Sequence, residues 1–198
     1  MARDFTPVLK RCRALGLEPA LMGISKKPSR RNVKESRRKQ SEYSVQLREK
    51  QRVKFIYGVM EKQLRLTYNR AAKLEGKTGE NLLILLERRL DNVVYRLGLS
   101  RTRAEARQTV LHRHILVNGK RVNIPSFQVK MGDVIELKEA SRSSKRFADT
   151  MEQTHHRIVP PWLQIEKGSF SGTVSAYPTR EQVDLPIDET RIVELYSK

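Results

Sequence analysis

The chain of 198 residues contains one cysteine, Cys12. A single thiol excludes an internal disulfide framework and a zinc site built from several cysteines, and it fits a reducing compartment. The four histidines lie far downstream of Cys12, so no four-ligand metal set can be assembled and no metal is expected. His155 and His156 are adjacent but have no third ligand, so they are expected simply to be exposed. Long apolar runs are also missing. None approaches the roughly 20 residues needed to span a bilayer, so a membrane partner is not expected. The first residues, MARDFTPVLKRCR, lack the apolar core of a secretory signal, and Asp4 with little serine argues against a transit peptide. The protein is therefore expected to stay in the compartment where it is made. Catalytic constellations are absent too. There is no glycine-rich phosphate loop and no Ser/His/Asp arrangement, and Asp149, Asp184 and Asp188 stand in linker-like or turn-like contexts without a partner base. These absences argue against an enzyme and against a cofactor.

What the chain has is positive charge: 40 Lys plus Arg against 22 Asp plus Glu, a net charge of +18. Such a chain binds polyanions even without a specific site. The excess is uneven. Residues 1–40 carry twelve cations against three anions, whereas residues 141–198 carry eight of each. The basic surface is thus built by the first two-thirds, and the last third is predicted to fold against protein.

The most informative stretch runs from Arg88 to Leu137. Leu90, Val93, Val94 and Leu97 recur at helical spacing, and Gly98 follows where a positive φ can close a helix. A second helix opens at Thr102, with Glu105 completing a capping-box pattern. Ala106 and Val110 are expected to face its core, while Arg103 and Arg107 share another face. Leu116-Val117, Asn118-Gly119 and Lys120-Arg121-Val122 read as a hairpin, because Asn-Gly tolerates the two positive φ values of a type I′ turn. A further strand pair, Phe127–Met131 and Val134–Leu137, is predicted to turn through Gly132-Asp133. Two helices and a small sheet are too little for chemistry but enough to hold a row of cations: Arg101, Arg103, Arg107, Arg113, Lys120 and Arg121, with His112 and His114 nearby. Guanidinium groups suit phosphate because each can donate two parallel hydrogen bonds.

Elsewhere the pattern is coarser. Residues 1–43 read as a basic arm broken by Pro7, Pro19 and Pro28. Within it Lys26, Lys27, Arg30, Arg31, Lys34, Arg37, Arg38 and Lys39 face one opposing Glu35 and are candidate phosphate contacts. Residues 44–76 read as helix with a break near Gly58, carrying Arg48, Lys50, Arg52, Lys54 and Arg65 as further candidates. Tyr57 and Tyr68 are expected in its core rather than on bases. A helix from about Thr78 is predicted to run through to Leu97, its first part apolar all round and so buried. Ser141–Thr154 reads as a linker or a poor helix. Beyond it, Ile158–Val159, Leu163–Ile165, Ser169–Ala176 and Arg191–Tyr196 read as short extended pieces, with Trp162 and Phe170 filling a small core.

RLDNVVYRLGLSRTRAEARQTVLHRHILVNGKRV, followed by PSFQVKMGDVIEL, resembles the S-four-type RNA-binding domain. SEYSVQLREKQRVKFIYGVMEKQL upstream and RIVELYSK at the end resemble the S-four family of small-subunit ribosomal proteins, of bacterial or plastid type. Relatives often carry an N-terminal zinc-gripping cysteine cluster. This chain lacks it, which implies a zinc-free form. The resemblance implies an α+β protein with four parts: a basic arm (1–43), a helical domain (44–87), the inserted RNA-binding module of two helices and a small twisted β-sheet (88–150), and C-terminal β segments (151–198) packing back on the helical domain. It implies a primary 16S rRNA-binding protein that clamps a 5′-domain junction by RNA shape, nucleates assembly of the subunit body and contributes to translational accuracy. The implied neighbours are the small-subunit protein S-five and mRNA near its entrance channel, with no homo-oligomer. The implied location is the cytoplasmic ribosome, or the plastid stroma for an organellar source. An RNA-modifying enzyme anchored by the same module would need a catalytic domain for which too little chain remains. A non-ribosomal RNA-binding regulator or stress protein is the other alternative.

Overall fold

A computed structural model of the chain describes residues 6–24, 41–165 and 169–197. The described residues fall into two compact units, one drawn from Met1–Leu83 and Leu185–Lys198, the other from Ile84–Asp184. The boundaries expected from sequence, at 87/88 and 150/151, differ from this division.

The first unit is helical. Helix α1 (Val8–Leu15) and a single 3-10 turn at Pro19–Met22 precede α2 (Glu42–Tyr57) and α3 (Glu61–Ala71). Ser41 starts α2 by accepting from the amide of Ser44, and Gly58 ends it at φ 61°. Few residues adopt that conformation cheaply, so the predicted break falls at the glycine. Val53, Ile56, Tyr57 and Leu64 are fully or almost fully buried. Tyr68 packs on Tyr196 with ring centroids 4.7 Å apart, so both tyrosines expected in a core are packed against protein. Tyr196 lies on a C-terminal helix (Glu189–Ser197) that packs along α2. The segment Arg191–Tyr196, expected to be extended, is therefore helical. Ile192, Leu195 and Tyr196 recur at i, i+3 and i+4, and Ile192 is completely buried.

Helix α4 (Thr78–Glu87) carries the chain through the division into the second unit, with Leu82, Leu83 and Leu86 fully buried as predicted. The predicted continuous helix to Leu97 is interrupted: Arg89 is extended, and α5 (Leu90–Arg96) starts afresh. The cause is non-local. The amides of Leu90 and Asp91 donate to the carbonyls of Phe127 and Pro125, and the amide of Val129 donates to Arg88. The 125–129 segment thus satisfies the orphan donors of a new helix start. The same bonds explain a second difference. Phe127–Met131 forms only an isolated bridge with Arg89 instead of pairing with Val134–Leu137.

Helix α6 (Arg103–Leu111) leads into β1 (Ile115–Val117), β2 (Lys120–Arg121) and β3 (Val134–Leu137). Asn118 and Gly119 take φ values of 51° and 73°, and Leu116 pairs with Arg121, as the hairpin motif requires. Ser141–Thr154 is more ordered than a linker: α7 (Glu139–Arg142) and α8 (Lys145–Thr154) occupy it. Strands β4 (Leu163–Ile165) and β5 (Ser171–Val174) complete an antiparallel sheet ordered β2-β1-β3-β5-β4. The C-terminal helix is α9. Leu90, Val93, Val94, Leu97, Ala106 and Val110 share one core with Ile115, Ile135, Leu137 and Trp162, and Phe170 packs against it. A Cβ on Gly172 of β5 would meet Leu97 at 2.5 Å and the Gln164 carbonyl at 3.0 Å. Gly172→Ala is therefore expected to destabilise the protein by about 1–3 kcal/mol through overpacking, measurable by urea denaturation.

Candidate nucleic-acid interface

In the helical unit the five predicted cations divide by what already holds them. Lys50 and Lys54 are four apart on α2, so both reach the start of α3, where Glu61 accepts from them at 2.9 and 3.0 Å. Arg52 donates to the carbonyl of Leu15 at 2.8 Å and to Glu49 at 2.6 Å. Arg48 and Arg65 are exposed, as are Lys62 and Arg70 of α3. The outward charge of this unit therefore comes from α3 as much as from α2.

Glu61 also accepts from the phenol of Tyr196 at 2.9 Å. Burial alone would raise its pKa, but the hydrogen bonds from Lys50, Lys54 and Tyr196 outweigh it and hold the carboxyl at about 2. Burial and the bond to Glu61 push the Tyr196 phenol up. A depressed carboxyl stabilises the fold above its ordinary value near 4.5, and that stabilisation is lost as pH falls towards about 2. The Glu61 side chain is 44% exposed, so solvent screening reduces the contribution to about 1 kcal/mol. Glu61→Gln should lower stability by that amount at pH 7, and the difference from the parent should vanish near pH 2, read by denaturant melts across pH.

In the second unit a buried polar network lies beneath the surface cations. Glu87 accepts from Asn92 Nδ2 at 2.7 Å and from Arg96 at 2.9 and 3.1 Å. Asn92 Oδ1 accepts from Arg103 Nε at 2.8 Å. Arg89 donates twice to Asp91, at 3.0 and 2.7 Å, with both side chains 5% exposed. Arg103 and Arg157 both lie over the Tyr95 ring, at 4.3 and 4.2 Å from its centroid. Arg103 is thus buried and committed within the protein, while Arg107 is partly buried with Nη1 3.9 Å from Asp91. Spacing alone put these two arginines on one outward face. The packing of α5 against α6 turns that face partly inward.

Four predicted cations do face solvent: Arg101, Arg113, Lys120 and Arg121. Lys120 and Arg121 form the edge strand β2, where charge also guards against edge-to-edge pairing. Arg113 sits at the turn out of α6 with φ 61°. Arg101 forks onto Glu105 at 3.1 Å while its side chain stays 50% exposed. Thr102 caps α6 by accepting from the amide of Glu105, but the Glu105 carboxylate reaches the amide of Arg101 instead of that of Thr102. Burial opposes ionisation of Glu105, yet its bonds from Arg101 and Arg146 prevail and lower its pKa. His114 is half-buried, bonded to Ser141 Oγ at 2.9 Å and edge-on to Phe147. Burial, with His112, Arg146 and Lys138 nearby, pushes its pKa down and so disfavours its charged form.

Three further cations were not singled out from sequence. Arg146 of α8 shares Glu105 with Arg101, and Arg142 pairs with Glu136 at 3.2 Å. Arg88 lies 4.1 Å over the ring of Tyr177, which is 47% exposed, a pairing suited to stacking against a base. The helical period of α8 is a usable signal for Arg146; Arg142 ends the short helix α7. The Arg88–Tyr177 pair, far apart in the chain, had none. The eight arm cations Lys26, Lys27, Arg30, Arg31, Lys34, Arg37, Arg38 and Lys39 lie outside the described residues. Among the described residues no group of His, Cys, Asp and Glu could hold a metal ion, and no helix is long and apolar enough to cross a membrane.

Two family models match end to end: the ribosomal protein S4/S9 N-terminal domain over residues 3–87 and the S4 domain over residues 88–135. The chain is 60% identical to the small ribosomal subunit protein uS4 of Lachnoclostridium phytofermentans, with both chains fully covered. It belongs to the uS4 family. The uS4 proteins of Lachnospira eligens and Fusobacterium nucleatum are 58% and 48% identical, again over all of both chains. Membership of this ribosomal-protein family makes the chain a structural, non-enzymatic protein. The junction of the two matches, 87/88, falls where α4 gives way to the extended Arg89. The uS4 pattern also exposes a gap: the S4 match stops inside β3, so α7, α8, β4 and β5 lie beyond it.

Proposed function

We propose that this chain is a component of the small ribosomal subunit that binds 16S rRNA at a junction in the 5′ domain, early in assembly. The observation that carries this reading is the pairing of full-length uS4 similarity with exposed cations on both compact units. Arg48 and Arg65 of the helical unit, Arg101, Arg113, Lys120 and Arg121 of the S4 unit, and the eight arm cations meet phosphates and 2′-hydroxyls. Arg107 contributes from its partly exposed position, and Lys50, Arg52 and Lys54 contribute through backbone-facing charge while tied to Glu61, Leu15 and Glu49. Arg103 acts from beneath, by fixing Asn92 and Tyr95. Recognition follows RNA shape, because the groups offered are cations and not base-reading amides. S-five and mRNA near its entrance channel are its neighbours, translational accuracy depends on it, and the bacterial cytoplasm is its location, in keeping with its bacterial relatives.

The test is retention on ribosomes. Small subunits purified from cells carrying a tagged copy should hold about one copy each after a wash in moderate salt. Loss of the tagged chain in that wash, while other subunit proteins stay, would favour a regulator acting away from the ribosome.

A further inference from the structure

Residues 97–102 join α5 to α6, and Arg101 stands at their exposed end. Gly98 takes φ 78°, and a Cβ there would lie 3.2 Å from Thr154 Oγ1. That closeness is used: Thr154, the last residue of α8, donates from Oγ1 to the Gly98 carbonyl at 2.6 Å. Three residues on, the guanidinium of Arg157 donates to three more carbonyls, Tyr95 at 2.6 Å, Ser100 at 3.0 Å and Arg101 at 2.9 Å. Its plane also lies against the Tyr95 ring. Two side chains from one short segment therefore hold three carbonyls of the turn, those of Gly98, Ser100 and Arg101, and that of Tyr95 at the end of α5. The segment itself is anchored by Trp162, which is 1% exposed, and by β4 and β5 in the sheet.

We propose that Arg157 is a positioning residue for RNA binding, clamping the α5–α6 turn so that Arg101 is held where it meets a phosphate. The proposal rests on the RNA-binding reading above and extends the working unit beyond the S4 match, which ends at residue 135. Among the described residues no carboxylate lies within ion-pair distance of Arg157, and Glu105 favours its charge only at longer range. Burial, together with the nearby guanidiniums of Arg103 and Arg96, works against that charge, and an RNA phosphate over this turn would relieve the repulsion. Only a planar fork can serve three carbonyls and a ring at once. Lysine keeps the charge but not the geometry.

The experiment is a double-mutant cycle in the full chain, with Arg157→Lys, Arg101→Ala and the pair, titrated with a transcript of the 16S rRNA 5′ domain over a range of salt. Each single variant should weaken binding about tenfold and lower the salt slope by roughly 0.7–0.9, the loss of one phosphate contact. The pair should be no weaker than either alone, because both remove the same contact. Thermal melts accompany each titration. Should Arg157→Lys fail to fold, Thr154→Val replaces it in the cycle, since it removes the bond to Gly98, along with the local one to the Thr150 carbonyl within α8, and should couple to Arg101→Ala in the same way. Additive losses, or an unchanged slope with a lowered melting temperature, would overturn the clamp and leave Arg157 a packing residue. Failure of the unaltered chain to bind the transcript in the presence of competitor tRNA would overturn the RNA-binding reading and the clamp with it.

Discussion

Asp91→Ala should destabilise the S4 unit by about 3–5 kcal/mol, a large share of the roughly 5–15 kcal/mol that keeps an ordinary domain folded. Asp91 is 4% exposed, takes both donors of the Arg89 fork and accepts from the amide of Asn92 at 3.0 Å. Removing it leaves a guanidinium buried without its counter-charge. The Arg89 backbone is also where α4 stops and α5 begins, so the damage falls on the joint that receives the 125–129 segment. A double variant, Arg89→Met with Asp91→Leu, should recover much of the loss, because an apolar pair of similar volume avoids the desolvation of two ions. Urea denaturation followed by circular dichroism checks both. A loss below about 1 kcal/mol for Asp91→Ala would show that the pair is not needed there.

Replacing Arg101, Arg113, Lys120 and Arg121 together by alanine should leave the fold intact and cut affinity for 5′-domain RNA by about a thousandfold. Each exposed cation that meets a phosphate contributes on the order of 1 kcal/mol. The logarithmic salt slope should fall by about 3. Arg103→Ala should do the reverse, lowering stability while the slope stays put, because its guanidinium is spent on Asn92 and Tyr95. Filter binding across a salt series separates the two. A quadruple variant with the parental slope would remove this row from the interface.

The contrast between Arg101 and Arg103 shows where sequence could be read and where it could not. Local signals were legible: the i, i+3, i+4 face of Leu90 to Leu97, the Thr102 cap, the left-handed Gly58, and the Asn118-Gly119 turn each depend on residues within a few positions. Non-local exchange was not. The helix break at Arg89 is made by carbonyls at Pro125 and Phe127, and nothing near Arg89 announces it. Arg103 and Arg107 share a helix face by spacing, but which face looks inward depended on Asn92 and Asp91 across the α5–α6 contact. The segment Arg191–Tyr196, expected to be extended like the Pro- and Gly-punctuated pieces before it, is helical. The i, i+3 and i+4 spacing of Ile192, Leu195 and Tyr196 is the helical signal there. Arg157 carries no local signal, because its partners are backbone carbonyls about sixty residues away.

Binding of the chain to a transcript of the 16S rRNA 5′ domain, with Mg²⁺, moderate salt and excess competitor tRNA, tests the central claim most directly. Tight binding that survives the competitor is expected, since the array of fixed cations recognises a folded junction and not charge alone. Binding that collapses when tRNA is added would contradict it and reduce the +18 chain to a general polycation.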